Sequence, residues 1–65
     1  MGKNIMYEVQ YLTPNDEWRQ YGKRHDVYKN AYEEAAAAAR NGIYKGVRIV
    51  EIEETREVVA EWMRG

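Results

Sequence analysis

The single histidine, His25, stands beside Asp26, a pairing in which a carboxylate could orient an imidazole as a general base. It has nothing to act through. The chain contains no serine and no cysteine, so the usual nucleophiles of covalent catalysis are missing, and the two threonines, Thr13 and Thr55, fall in expected turns. At a strand-to-helix junction His25 reads as a surface or capping residue. One histidine cannot make a multi-histidine zinc site within one chain, and without cysteine neither a thiolate metal site nor a disulfide can form. Glu51, Glu53 and Glu54 could gather round a hard cation, but their spacing does not fit an EF-hand loop, and they read as solvated. The expectation is a non-catalytic protein with no metal and no cofactor.

A second constellation mixes cations with aromatic rings. Arg19, Lys23, Arg24 and Lys29 alternate with Trp18, Tyr21 and Tyr28, residue types that hold phosphates and stack on bases. Trp18, Arg19, Lys23, Arg24 and Lys29 would be the contacts of a nucleic-acid-binding surface. The opposite charge collects later: Glu51, Glu53, Glu54, Glu57 and Glu61 stand against Arg56 alone. An acidic hairpin would repel a backbone that wrapped the molecule, and the net charge of −1 gives no global attraction to nucleic acid or membrane. The plainer reading is a basic and an acidic edge, kept soluble by charge.

The elements that must position these residues follow from periodicity. Ile5 to Leu12 alternates Tyr7, Val9 and Tyr11 with Glu8 and Gln10, the period of a strand. Pro14-Asn15-Asp16 supplies a turn. Glu17 to His25 reads as a second strand, whose Trp18 and Tyr21 have opposite parity and so face opposite sides unless a bulge lies between them. Ala31 to Arg40 is a helix built on the run Ala35–Ala39, with a capping box at Asn30–Glu33. Asn41-Gly42 would be its left-handed exit, and Ile43 would fold back on the last turn. Its buried face is expected to be Tyr32, Ala35 or Ala36, Ala39 and Ile43. Val47 to Glu54 is β-branched and strand-like, entered through a bulge at Gly46. Glu57 to Met63 forms a fourth strand, with a second helix over about Glu53 to Met63 as its rival.

The fold class is therefore α+β: a ββαββ single domain, 1–65, with a four-stranded antiparallel sheet in the order 2-1-3-4 and one helix on one face. The apolar first and third strands take the centre. The second strand becomes a charged edge and the fourth a poorly defended one. Tyr7, Val9, Tyr11, Val47, Ile49, Val58, Ala60 and Trp62 are assigned to the helix side. Leu12, Tyr21, Val50, Ile52, Val59 and Met63 then crowd the open face, ringed by Glu8, Arg19, Arg48 and Glu61. An apolar patch of that kind marks a partner site. A chain of this length buries only about 60% of its unfolded surface, so self-association is the staple left to it.

The layout resembles small ββαββ domains of bacterial and phage proteins. The features that carry the resemblance are Asp16-Glu17-Trp18, the helix start Tyr32-Glu33-Glu34-Ala35 and the Asn41-Gly42 exit, and it spans nearly the whole chain. Trp18 through Ala35 also looks like the arm-binding domains of phage integrases, in which a small sheet reads DNA. There three strands precede the helix, whereas here two do and an acidic hairpin follows. The resemblance implies a stand-alone phage or mobile-element product that binds and inhibits a host protein. The expected function is a regulatory module making protein–protein contact through the open face or an edge strand, as a homodimer or with a protein partner. Nucleic-acid binding and sequestration of a small ligand at a subunit interface are the alternatives. With no apolar run long enough for a signal peptide or a membrane span, the expected location is the cytoplasm of the producing cell or a host.

Overall fold

The computed structural model describes residues 4–64. Its elements are β1 (Met6–Leu12), β2 (Trp18–Gln20), α1 (Tyr28–Arg40), β3 (Gly46–Ile52) and β4 (Arg56–Met63). They form an antiparallel sheet in the order β2-β1-β3-β4, with α1 packed on β1 and β3. Residues 53–63 contain no helix: Glu53–Thr55 forms the turn, closed by the Glu53 amide donating to the Thr55 carbonyl, and Val58-Val59 favours the strand.

Register sorts every side chain between two faces, because strand side chains alternate and directly paired residues share a side. Val9 lies opposite Ile49 and Tyr11 opposite Val47. With Ala31, Ala35 and Ala38 they enclose the dry core, in which Val9, Val47 and Ile49 are the largest fully buried side chains. Alanine at those three helix positions lets the helix backbone approach the sheet, and each branched side chain so buried contributes roughly 1.5–3 kcal/mol.

The helix differs from expectation in three ways. It starts at Tyr28 rather than Ala31, with extended Val27 as N-cap and no side-chain cap, so Asn30 lies inside the first turn and the capping box does not form. The cause is tertiary. His25 pairs with the Tyr7 backbone in both directions, and Tyr28 stands edge-on to Tyr7 at 5.5 Å, which holds the chain against β1 and begins the helix early. The buried seam is accordingly Ala31, Ala35 and Ala38, while Tyr32 is exposed and Ala39 lies at the margin. Ile43 does not fold back and is 74% exposed. The exit itself is as expected, with Gly42 left-handed at φ 69°.

The second strand is shorter than Glu17–His25. Gly22, at φ 70°, turns the chain out of the ladder after Gln20, and it returns only at the bridge between His25 and Tyr7. Trp18 and Tyr21 do face opposite sides. Trp18 lies opposite Leu12 on the open face, whereas Tyr21 packs on the helix side between Tyr11 and Tyr44. The assignment of Tyr21 to the open face is thus corrected.

The bulge expected at Gly46 lies instead in β4. Ile49 is opposite Ala60 and Val50 opposite Val58, leaving Val59 as the extra residue. This slip carries Val58 to the open face, against its assignment to the helix side. Gly46 answers to a different constraint, since a Cβ there would come within 2.7 Å of Met63 Sδ and 3.3 Å of both Trp18 and the Trp62 carbonyl.

Candidate interaction surface

The open face is built on a carboxylate. Glu8, in a central strand, is 4% exposed and Gln10 is 7% exposed, and a buried carboxylate persists only when it is paired. Glu8 Oε2 accepts from Gln10 Nε2, and Glu8 Oε1 accepts from Arg24 Nε at 3.0 Å. Arg56 Nη1 lies 3.9 Å from Glu8 Oε2. Gln10 Oε1 in turn accepts from Arg48 Nε at 2.7 Å, and the Arg48 guanidinium stacks 4.1 Å from the centre of the Trp18 ring. One connected chain of contacts thus runs from Arg24 through Glu8, Gln10 and Arg48 to Trp18. Among the described residues no buried side-chain nitrogen or oxygen lacks a hydrogen-bond partner.

Burial by itself would raise the Glu8 pKa. The hydrogen bonds from Gln10 and Arg24 and the charges of Arg24 and Arg56 outweigh it, so the carboxyl titrates below its ordinary value. Glu8 is an anion held by two hydrogen-bond donors, Gln10 and Arg24, and by the nearby charge of Arg56, and it is a structural anchor rather than a base seeking a proton.

This network changes what the open face presents. Leu12, beneath Trp18, and Val50, between Glu8 and Val58, are buried within the single chain, and Ile52 is half-buried beside Met6. Three of the expected interface residues therefore share a face, but two of them are buried within the chain and the third is half-buried. Val59 and Met63 are exposed at 38% and 56%, and both belong to β4. Tyr21 is on the other side of the sheet.

The expected nucleic-acid contacts are not gathered either. Trp18 and Arg24 belong to the open-face network, Arg19 pairs with Glu17 at 2.8 Å, Lys23 sits in the β2–α1 connection, and Lys29 is on the helix that covers the opposite face. His25 finds its carboxylate on the helix. Its Nε2 lies 2.8 Å from Glu34 Oε1, latching the β2–α1 connection to the helix. Among the described residues no three His, Cys, Asp or Glu side chains cluster as metal ligands. Sequence reasoning missed the role of Glu8 and Gln10, treating Glu8 as part of a rim. The signal was present: a carboxylate and an amide alternate with apolar residues in what reads as a central strand, and a central carboxylate needs donors.

What remains unoccupied is the outer side of β4. The strand has eight residues, most of them exposed, and among the described residues its only ladder partner is β3. In an antiparallel pair half of a strand's backbone groups point away from the partner, so β4 carries a row of donors and acceptors along the sheet margin. A groove of about 330 Å³ adjoins its end, walled by Ala39, Tyr44, Trp62, Met63 and Arg64.

No protein-family profile, curated protein or solved structure matches the chain. The functional reading therefore rests on this geometry.

Proposed function

We propose that the domain is a non-catalytic binding module that takes up a protein partner by strand addition along β4. The observation that carries this is the eight-residue outer strand with Val58, Val59 and Met63 exposed on it. Main-chain hydrogen bonds supply affinity in such a contact, and alternate side chains supply selectivity. The burial of Leu12 and Val50 on the open face within the single chain argues against the open face as the main docking surface.

The test is affinity capture with two variants, each first checked by circular dichroism for a wild-type fold. Val58→Lys with Val59→Lys places charge on the edge, a means by which natural proteins block edge pairing. Arg24→Ala with Arg48→Ala alters the open face instead. Proteins retained by the wild type should be lost with the first variant and kept with the second. The reverse pattern would move the site to the open face. Nucleic acid is the weaker reading: the open face does hold Arg24, Arg48 and Arg56, but Glu8 neutralises part of that charge and Arg48 covers the Trp18 ring. Tight binding in a mobility-shift assay that falls steeply with salt would favour it.

A further inference from the structure

We infer that the strand taken up at this edge is β4 of a second copy of the chain, paired about a two-fold axis so that Arg56 of each copy lies opposite Glu61 of the other. The inference rests on the reading of β4 as the docking edge and adds what docks there.

The bulge makes this pairing possible. Arg56 lies opposite Ile52 and Glu61 opposite Arg48, while Ile52 and Arg48 lie opposite Met6 and Gln10 of the open face. Arg56 and Glu61 therefore share that face although they are five positions apart, a spacing that puts residues of a regular strand on opposite sides. Val59, the extra residue, supplies the change of parity. A bulge is often a device that discourages edge pairing. Here it aligns the faces of two identical strands.

A two-fold axis perpendicular to the sheet keeps both open faces on one side and makes the contact isologous. With Val58 opposite Val59 of the other copy, Glu57 meets Ala60, both on the helix side, and Arg56 meets Glu61, both on the open side. Each pair occurs twice. Sliding by one residue to put Val59 opposite itself would set Glu57 against Glu61, which is unfavourable both in charge and in face. The favoured register centres the exposed Val58 and Val59 side chains on the axis and brackets them with two opposite-charge pairs. Arg56 is the one cation between Glu51 and Glu61, and this register places it against a carboxylate of the other copy.

Sedimentation equilibrium on the purified chain at micromolar concentration tests the inference. The wild type should sediment at twice its 7.7 kDa mass. R56E sets carboxylate against carboxylate and E61R sets guanidinium against guanidinium, so each should weaken the dimer roughly tenfold or more, from two altered cross-strand pairs. An equimolar mixture of the two variants should recover dimers, all of them heterodimers, because both cross-strand pairs become attractive again. Arg56 also lies near Glu8, so R56E is checked by circular dichroism. If it does not fold, E61R, an exposed side chain, carries the test, and salt should partly relieve its weakening. A monomer throughout the range overturns the second copy as partner, and a dimer indifferent to these substitutions overturns its pairing through β4 in this register. Strand addition at β4 would then still stand or fall on the separate capture experiment with the Val58 and Val59 lysine variant.

Discussion

The two faces of this sheet are closed by opposite means. On one side a helix lays Ala31, Ala35 and Ala38 over Val9, Val47 and Ile49, and the contact is dry. On the other the sheet covers itself, with arginines from the β2–α1 connection, β3 and β4 lying over a buried carboxylate and amide. A protein with one helix and four strands has one face too many for its secondary structure to cover. Long side chains with apolar stems and charged heads can serve as the second cover. Leu12 and Val50 on that face are buried, and the exposed apolar side chains Val58, Val59 and Met63 lie on the marginal strand instead.

The helix face should be the more sensitive. Ile49→Ala removes a fully buried side chain between β1, β4 and the helix and should cost about 2–5 kcal/mol, read as a shift of the urea midpoint with an unchanged slope. Ala35→Leu should overpack the seam and cost about 1–3 kcal/mol. Ala39→Leu, at the margin, should lie within about 0.5 kcal/mol of wild type. Equal losses from the two alanine substitutions would mean that the helix is rotated from the position described.

The open face should respond through charge and pH. Glu8→Ala leaves the buried Gln10 amide without its acceptor and frees Arg24, a loss of about 1–3 kcal/mol. The titration has a definite sign. Glu8 has a lower pKa folded than its ordinary value of 4.5, so its contribution is fully present above that value and is lost as pH falls through the folded one. As pH falls below the ordinary value of 4.5 the wild type should lose stability more steeply than Glu8→Gln, which cannot titrate. Parallel acid curves for the two proteins would show that the carboxylate does not hold the face together.

The alternation of Tyr7, Val9 and Tyr11, the β-branched third strand and the alanine run were sufficient to read the strand order and the single helix, because each is a local pattern. Tertiary contacts decided the rest. The helix start moved because His25 docks on Tyr7, and one extra residue at Val59 reversed the parity of Val58, which no local pattern in the sequence marks. The exposure of the open face was overestimated for a related reason. Counting apolar residues on a face ignores the arginines that cover them, and those come from distant segments: Arg24 lies sixteen positions from Glu8, and Arg48 thirty-eight from Gln10.

A smaller effect on the open face tests whether that cover depends on the shape of the arginines or only on their charge. Arg48 makes two contacts at once, donating from Nε to Gln10 and stacking its guanidinium plane on Trp18. Lysine keeps the charge but has neither the planar group nor the fork. Arg48→Lys should therefore cost about 0.5–1 kcal/mol, the size of a partly exposed cation–π contact. If both contacts belong to one network, Arg48→Lys and Gln10→Ala combined should cost less than the sum of the two singles, because the first has already broken the link that the second removes. Strict additivity would mean that the Gln10 contact is dispensable and that Arg48 acts on the open face only as a lid over Trp18.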